Sequence, residues 1–351
     1  MSKSKNILVA PLNWGLGHAT RCIPIINELL QHGFTPILAS DSEALVLLQQ
    51  EFPELTSVEL PAYNIKYTKN GRFLKWALFL QLPKLYSAIK REQQELQKIV
   101  KDFNIHGIIS DNRLGLYHQQ IPSVYITHQI NVLSGNSTFL SSYLHQKTIQ
   151  KFDECWVPDS HTKLTFSGKL SQPTHQLKNT KHIGVLSRFK HIDTPIQYDF
   201  LILLSGPEPQ RSLLETKLLK EFQNTSGKIL FIQGILSEEQ VVNTVKNITI
   251  CNFMIGKQLE NAINESSVVI SRSGYTTIMD LAQIGKKAFF IPTPGQYEQL
   301  YLAERMNELN LVPFATQENF CLADLKQLNN YKGLHNTYEH IDFNELFSIF
   351  N

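Results

Sequence analysis

The sequence predicts an α/β protein built from two doubly wound, Rossmann-like domains that face each other across a cleft. Three observations predict this fold class: short apolar runs alternate with longer amphipathic stretches, the alternation occurs twice along the chain, and it lapses around residues 187–195. The chain has 351 residues, a length that suits two domains of ordinary size. We therefore predict domains at residues 1–190 and 196–335, each with parallel strands whose carboxyl ends meet the cleft.

The first domain is predicted from its alternation of short apolar runs and helix-like stretches. Short apolar runs suit strands that are covered on both faces of a parallel sheet. The expected strands are Ile7–Ala10, Pro36–Ala39, Gly107–Ser110, Ser123–Thr127 and Glu154–Val157, and the expected helices are His18–His32 and Asp41–Glu51.

The second domain has a similar layout without a detectable sequence repeat. Residues 336–351 are expected to add a short helix, Phe343–Phe350, and one placement for this helix is against the first domain. The expected strands of the second domain are Phe200–Leu204, Lys228–Ile232, Ile248–Cys251, Val268–Ser271 and Ala288–Ile291, and the expected helices are Glu215–Gln223, Gly256–Asn264, Thr276–Gln283 and Glu298–Leu309.

The composition restricts the class of protein. Hydrophobic residues make up 42% and charged residues 18%, which is typical of a globular chain. The net charge of +2 gives no bulk electrostatic argument for a nucleic-acid partner. No run of about 18 apolar residues occurs, and the polar start of the chain lacks the apolar core of a secretory signal. The four cysteines form no CxxC pair, so we expect reduced thiols, no metal site and a cytoplasmic location.

A glycine-rich turn follows the first predicted strand. The stretch NWGLGHATR would connect that strand to a helix, with Gly15 and Gly17 allowing a tight turn and a close approach to a ligand. His18 would then lie at the cleft, where the helix N-terminus favours a neutral imidazole that can act as a base. The alternative is a tight turn with an incidental histidine. Arg21 would either contact an anion or lie in solvent.

A second turn, with the sequence VVISRSGYTT, leads from a predicted strand into a helix. Gly274 and the hydroxyl residues Ser273, Thr276 and Thr277 would direct backbone and side-chain donors toward one point, as in a diphosphate site. Asp280, one turn further along, could accept hydrogen bonds from ribose hydroxyls. The alternative is a capped helix in which Asp280 interacts favourably with the helix dipole.

Two further loops follow predicted strands of the second domain. PTPGQYEQ ends in Glu298 and Gln299, whose oxygens suit sugar hydroxyls. The alternative there is a Pro/Gly turn followed by a first-turn acid. LSGPEPQR offers Ser205 and Gly206 as additional phosphate contacts. Because three loops of suitable type lie at the same end of one predicted sheet, we favour an anionic ligand over three unrelated turns.

The run VVISRSGYTTIMDLAQIGKKAFFIPTPGQYEQLYLAE resembles the donor-binding region of glycosyltransferase family 28, the MurG-like enzymes of GT-B fold. That family carries an RSGxxTxxE helix start followed by a PxxxxxxQ loop. The resemblance implies that the matching residues bind the nucleotide-sugar donor, with Asp280 on the ribose and Gln299 on the sugar. The matching residues are Arg272, Ser273, Gly274, Thr277, Asp280 (in place of Glu), Pro292 and Gln299.

Weaker likenesses to the same family occur elsewhere in the chain. GVLSR resembles the family's G-x-x-x-R, which implies that Arg188 contacts the diphosphate. GLGHATR and ITHQ resemble its acceptor-side segments, which implies acceptor-side roles for Gly15, Gly17, Arg21 and His128. The loop SGPEPQR departs from the family's glycine-serine-glutamine-glycine loop.

The resemblance implies inverting transfer of a hexose or N-acetylhexosamine from a UDP-sugar, with His18 as the base and a lipid-linked or cell-envelope glycan as the acceptor. No DxD motif occurs in the chain, so we expect no metal and no cofactor besides the UDP-sugar, which is a substrate. Two alternatives stay open. GLGHATR also resembles the turn of PseG-like nucleotide-sugar hydrolases, in which water takes the place of the acceptor. A non-catalytic nucleotide-sugar-binding protein would use the same donor site.

Residues 72–90 combine apolar, aromatic and basic side chains, including Trp76 and Phe79. One interpretation is peripheral docking at the inner face of the membrane, which would bring a lipid-linked acceptor to the enzyme. The alternative is a helix buried against the first domain, with its lysines reaching solvent. Pro83 is expected to interrupt a continuous helix in this segment.

Overall fold

The computed structural model describes residues 4–63, 74–133, 138–160, 165–172, 177–335 and 341–351, with the side chains of residues 74–82 outside that description. The chain forms two compact units, Met1–Arg188 together with Tyr338–Asn351, and Phe189–Thr337. The division falls inside the boundary segment 187–195, and the end of the chain belongs to the first unit.

The first unit is a doubly wound α/β unit. Its strands and helices are β1 (Asn6–Pro11), α1 (Leu16–Gln31), β2 (Thr35–Ser40), α2 (Ser42–Glu51), β3 (Ser57–Glu59), α3 (Leu74–Asp102), β4 (Ile105–Asp111), β5 (Ser123–Ile126), α4 (Thr138–Ile149), β6 (Glu154–Val157) and β7 (Thr180–His182). The sheet order is β3-β2-β1-β4-β5-β6-β7, and each of these neighbouring pairs is parallel. The apolar run Ile7–Ala10 lies in β1, near the middle of this sheet, and all four residues are fully buried. This burial is expected for a strand that is covered on both faces.

The second unit has the same kind of architecture. Its elements are β8 (Tyr198–Leu203), α5 (Gln210–Phe222), β9 (Ile229–Ile232), β10 (Val242–Val245), β11 (Ile248–Cys251), α6 (Gly256–Asn264), β12 (Ser266–Ser271), α7 (Tyr275–Ile284), β13 (Lys287–Phe290) and α8 (Tyr297–Glu308). The sheet order is β10-β11-β9-β8-β12-β13, with β10 antiparallel to β11 and the other pairs parallel. The predicted fold class, two doubly wound units, is confirmed.

The end of the chain packs on the first unit through aromatic residues. Phe347, in α9 (Phe343–Phe347), and Phe350 are buried. The Phe350 ring centroid lies 6.3 Å from that of Phe34 and 6.2 Å from that of Trp156. A Cβ at Gly107 would overlap the Phe350 ring, so glycine at this position lets β4 accept the ring. The buried aromatic area explains why this segment joins the first unit.

Three short strands and the helix α4 are absent from the predicted elements, and the helix α3 is continuous where an interruption is predicted. β3, β7 and β10 have three or four residues each and lie at sheet edges, where no long apolar run marks them. The prediction that Pro83 interrupts its segment is wrong, because α3 runs through it for 29 residues. A proline inside a helix removes one backbone hydrogen bond, and the other turns of a helix this long keep it continuous.

Each sheet has a topological switch point. This is a strand from which the chain continues first to one side of the sheet and later to the other. In the first sheet β1 lies between β2 and β4, and in the second sheet β8 lies between β9 and β12. Ligands of open α/β sheets bind beyond the carboxyl ends of the strands at such points. The loops after β1 and β4, and those after β8 and β12, are therefore the expected ligand-binding positions.

Candidate functional site

A histidine and an aspartate meet at the switch point of the first sheet. His18 lies in the first turn of α1, which begins after Gly15 with its φ of +87°, and Asp111 is the last residue of β4. Nδ1 of His18 lies 2.8 Å from Oδ1 of Asp111. The aspartate side chain is fully buried and the histidine side chain is 16% exposed. With the Nδ1 hydrogen donated to the carboxylate, Nε2 is the ring nitrogen that can accept a proton from a ligand.

Arg21 also binds the Asp111 carboxylate. Its Nε donates to Oδ2 at 2.7 Å, its Nη2 donates to Oδ1 at 2.5 Å, and its Nη1 lies 2.9 Å from Nδ1 of His128. Both Arg21 and His128 are buried. Of the two expectations for Arg21, solvation is wrong, because Arg21 is buried and binds the Asp111 carboxylate. The physical reason is that a buried carboxylate needs a paired cation. His128 contacts Arg21, and the acceptor-side roles of both residues stay predictions.

The Asp111 carboxyl is ionised. Burial raises its pKa, but the Arg21 guanidinium and the His18 imidazole outweigh burial and lower the pKa to about 2. An ionised carboxylate beside Nδ1 fixes the orientation of the imidazole. It also stabilises the imidazolium that forms when Nε2 takes up a proton.

A second buried ion network supports the start of the glycine turn. Arg113 is fully buried and pairs with Asp41 and with Glu92, whose Oε1 lies 2.8 Å from Nη1 of Arg113. Arg113 also donates from Nε to the Pro11 carbonyl at 3.0 Å, and Asp41 accepts from the Asn13 amide at 3.2 Å. Burial raises the pKa of Glu92 even though Arg113 opposes this. These contacts connect β1, β2 and β4 at their carboxyl ends.

Sequence reasoning missed Asp111, Asp41 and Arg113. The signal that could have found the two aspartates is positional, since Asp111 directly follows the predicted strand Gly107–Ser110 and Asp41 lies just past Pro36–Ala39. Side chains at such strand ends line ligand sites in this fold class. Arg113 has no local signal, because its pair with Asp41 spans 72 residues of sequence.

The switch point of the second sheet carries an open loop and a helix N-terminus. Ser205 and Gly206 follow β8 and are exposed, and Gly206 has a φ of +104°. Thr276 and Thr277 lie in the first turn of α7, which begins after Gly274 without a side-chain cap. The backbone N–H groups of such a turn and the positive end of the helix dipole favour an anion.

Thr293 places a hydroxyl beside the Gly206 loop. The residue is 3% exposed, and its Oγ1 has no hydrogen-bond partner within the described ranges. A Cβ at Gly206 would lie 3.5 Å from that oxygen. A buried hydroxyl without a partner costs roughly 1–3 kcal/mol, which a ligand oxygen could offset. Thr293 lies in PTPGQYEQ but is not among the residues singled out from sequence.

Arg272 and Ser273, which match the family pattern, turn inward. The Arg272 guanidinium is 1% exposed and donates to three backbone carbonyls and one side-chain amide, and burial lowers the pKa of Arg272 to about 10. Ser273 is fully buried and donates to the Gln299 carbonyl at 2.7 Å, and Oε1 of Gln299 accepts from the Thr293 N–H at 2.8 Å. In the described chain their side chains therefore bind neighbouring loops, and their expected contacts with the donor stay predictions. Both residues directly follow β12, and their hydrogen bonds connect the loop after β12 to the segment after β13.

Four other expected contacts stay predictions. Asp280 is buried in α7, Glu298 is half-buried at the start of α8, and Gly17 lies in the first turn of α1. Arg188 has its Nη1 3.9 Å from Oε1 of Glu51 in the first unit. Their assigned ligands are the ribose, the sugar, the acceptor and the diphosphate, respectively.

The segment at residues 72–90 is described only in part. Residues 72 and 73 and the side chains of 74–82, including Trp76 and Phe79, lie outside the described residues. None of the described helices combines the length and the apolar character that crossing a membrane requires.

Comparison with known proteins places the chain in a functional class. Residues 205–331 match the glycosyltransferase family 28 C-terminal domain. An uncharacterized glycosyltransferase of Methanopyrus kandleri is 21% identical over 306 residues, which are 81% of this chain and 85% of that protein. The UDP-N-acetylglucosamine--N-acetylmuramyl-(pentapeptide) pyrophosphoryl-undecaprenol N-acetylglucosamine transferase of Sulfurihydrogenibium sp. is 24% identical over 250 residues, which are 70% of this chain and 65% of that enzyme. The chain is a glycosyltransferase, and its second half resembles glycosyltransferase family 28.

Solved structures show that this glycosyltransferase has the GT-B fold. The glycosyltransferase SnogD from Streptomyces nogalater has a TM-score of 0.63 at 9% identity, covering 93% of this chain and 91% of that one. MurG of Acinetobacter baumannii has a TM-score of 0.52 at 15% identity, covering 93% and 90%. At these identities the likeness concerns the fold alone.

The family match lies in the second unit of the glycosyltransferase. It includes the loops after β8, β12 and β13, and therefore Ser205, Gly274 and Thr293. His18 and Asp111 lie in the first unit, outside the matched residues. Their pairing is a finding of the structure and not of the family match.

Asp111→Asn is expected to lower the free energy of unfolding of the glycosyltransferase by about 3 kcal/mol near neutral pH, because Arg21 stays buried without its counter-charge. The loss should depend on pH. The folded-state pKa of Asp111, about 2, lies below the unfolded value of about 3.9. Its ionised form therefore stabilises the fold above about pH 4, and this contribution is lost as the pH falls toward 2.

Urea denaturation of both proteins at two pH values measures this dependence. The difference in free energy of unfolding between wild type and Asp111→Asn should shrink by about 1 kcal/mol from about pH 5 to about pH 3. A difference that stays constant, or grows toward acid, would show that the Asp111 carboxylate is not the stabilised species.

Proposed function

We propose that this glycosyltransferase moves a hexose or N-acetylhexosamine from a UDP-sugar to an acceptor hydroxyl, with inversion at the anomeric carbon and without a metal ion or other cofactor. The observation that carries the proposal is the His18–Asp111 pair, 2.8 Å apart at a switch point and braced by Arg21. UDP is proposed because the Sulfurihydrogenibium relative is named for a UDP-sugar. Metal independence is proposed because the sequence has no DxD motif.

The first unit would supply the base. Nε2 of His18 removes the proton of an acceptor hydroxyl, and the hydroxyl oxygen forms a bond to the anomeric carbon while the bond from that carbon to the diphosphate breaks. The proton stays on His18, where the ionised Asp111 stabilises the imidazolium. A single displacement of this kind inverts the anomeric centre. General-base catalysis contributes roughly 10²–10⁴-fold to the rate.

The second unit would hold the donor and stabilise the charge that develops on the diphosphate. The first turn of α7, the loop at Gly206 and the Thr293 hydroxyl supply donors, and each donor aimed at developing charge contributes about 2–4 kcal/mol. Gln299 would contact the sugar through its NH2 group, because its Oε1 already accepts a hydrogen bond. Asp280 keeps the ribose role that the family resemblance implies. Arg188, the last residue of the first unit before the division, keeps the implied diphosphate role.

His18→Ala is expected to lower kcat by about 10²–10⁴-fold and to change the Kd for the UDP-sugar by no more than about twofold, because His18 acts on the acceptor hydroxyl and not on the donor. UDP release, with and without lipid-linked or glycan acceptors, measures turnover, and calorimetry measures donor binding. His335→Ala, on the surface of the second unit, is the matched control.

The same assay separates the alternatives. Unchanged turnover of His18→Ala would overturn the base role. Free sugar released by the wild type in the absence of acceptor would favour a hydrolase. Donor binding without any turnover would favour a non-catalytic binding protein.

Thr293→Val is expected to weaken UDP binding by about fivefold to tenfold, because one hydrogen bond to a charged group is lost. Stability should be unchanged or raised, because valine keeps the shape and removes a buried hydroxyl that has no partner in the described chain. Calorimetry with UDP and urea denaturation measure the two quantities. Thr216→Val, on the exposed side of α5, is the control. Unchanged UDP affinity with reduced stability would mean that Thr293 serves the fold alone.

The outer face of α4 supports an apolar acceptor. Phe139, Leu140, Tyr143 and Leu144 lie on one side of this helix and are 51% to 86% exposed. The buried residues of the helix lie on the opposite side and are Ser142 and Ile149. An ordinary surface helix turns polar and charged side chains to solvent, so an exposed apolar patch of this kind marks an interaction surface.

We propose that this face of α4 meets an anionic membrane surface that carries a lipid-linked acceptor, at the inner face of the membrane. The helix contains no Asp or Glu, and Nζ of Lys147 lies 5.6 Å from the Tyr143 ring centroid. The Val132 N–H donates to Oγ of Ser142 at 3.0 Å, so α4 packs on the loop that also carries His128. Apolar and basic side chains on one surface helix favour an anionic bilayer.

Phe139→Glu/Leu144→Glu is expected to reduce binding to phosphatidylcholine vesicles containing phosphatidylglycerol by at least about tenfold, because it replaces inserted apolar area with like charge. Flotation measures binding. Val46→Glu/Leu213→Glu adds the same charge at exposed apolar positions on other helices and should bind normally. An equal loss of vesicle binding in both double variants would show that the net charge of the protein, and not the α4 face, determines binding.

A further inference from the structure

The strand β10 forms an exposed edge of the second sheet. Val241, Val242 and Val245 are 51%, 52% and 58% exposed. Edge strands are usually protected by a lysine, a proline, a bulge or a covering element, and the sequence Val241–Val245 contains neither lysine nor proline. No named strand of the described chain pairs with its outer side. The edge therefore presents β-branched side chains and backbone groups to a partner.

The backbone pattern shows which groups point outward. The Asn252 N–H donates to the Val241 carbonyl at 3.2 Å, and β10 pairs with β11 in an antiparallel register that sets Asn243 opposite Ile250. Alternation along an antiparallel ladder directs the backbone groups of Val241, Asn243 and Val245 toward β11. The N–H and C=O groups of Val242 and Thr244 then point away from the sheet.

The β10–β11 hairpin is also held in place before any partner arrives. The Asn247 side chain donates to the carbonyls of Thr225 and Gly227, at 2.6 and 2.5 Å. The Asn252 side chain donates to Oγ of Ser237 at 2.8 Å. A strand that is already ordered loses little conformational entropy on pairing.

We propose that the second unit forms a symmetric dimer in which β10 pairs antiparallel with β10 of a second copy, about a two-fold axis at Asn243. In this register the backbone N–H and C=O groups of Val242 hydrogen-bond with those of Thr244 in the other copy. Every outward backbone group of the strand then has a hydrogen-bond partner. Val241 faces Val245 of the second copy, an apolar cross-strand pair. A two-fold axis requires a self-complementary surface, and this strand provides one.

The charges around the strand fit the same register. Glu238 and Glu239 precede β10 and Lys246 follows it, and all three are exposed. Antiparallel pairing brings the start of one strand to the end of the other, so acidic residues meet a lysine at both ends of the interface. A parallel arrangement would instead bring like charges together. Because the contact is one short strand, we expect a dissociation constant on the order of 10 µM.

Sedimentation equilibrium of the full chain from about 1 to about 200 µM tests the dimer, which should appear as a concentration-dependent doubling of mass. Thr244→Pro removes one outward N–H that the β10–β11 ladder does not use, so the fold tolerates it. We expect at least tenfold weaker association for Thr244→Pro. Thr244→Ala keeps that N–H and should still dimerise. A chain that is monomeric at 200 µM, or a dimer insensitive to Thr244→Pro, would overturn the proposal.

Charge reversal tests the register and does not depend on how proline affects the fold. Lys246→Glu alone and Glu238→Lys/Glu239→Lys alone should each weaken the dimer severalfold, because like charges then meet at both ends. Combining the three substitutions should restore association. Additive weakening in the combined variant would overturn the antiparallel register. These experiments measure only the association of two copies, so their result does not depend on donor binding or on turnover.

Discussion

The buried carboxylate of Asp111 is the group on which the functional arrangement of the first unit depends. An ionised carboxylate in the protein interior needs paired donors, and Arg21 and His18 supply them. Arg21 in turn contacts His128. The Asp111 carboxylate that Arg21 pairs with is also the group that orients the His18 imidazole. The stability of this unit and its proposed chemistry therefore depend on one carboxylate.

The second unit would meet a different requirement under the proposed function, the binding of an anionic leaving group, and it would do so mainly with backbone. A helix N-terminus, a glycine loop and the Thr293 hydroxyl, which has no hydrogen-bond partner among the described residues, would favour an anion there. Arg272 illustrates how the unit is organised: its charge is used to hold neighbouring carbonyls, so that the loops around the site keep their shape. A residue of a family motif can thus act on a ligand through the backbone that it positions.

The family match covers one of the two units of this glycosyltransferase. The family match is confined to the second unit, as expected if sugar nucleotides present similar chemistry to many enzymes. The first unit combines the His18–Asp111 pair with an apolar face on α4. Acceptors vary more than donors, so the surfaces that would meet them have less reason to share a sequence pattern.

The sequence alone determined the fold class, because strand, turn and helix are local features and strands covered on both faces must be apolar throughout. It also placed His18 and Gly206 at strand ends. Only the tertiary structure decided that Asp111 pairs with Arg21 across 90 residues of sequence, that Arg272 and Ser273 face inward, and that β10 is an open edge. Local sequence sets the element in which a residue lies, whereas its partner is set by the packing of elements that are distant along the chain.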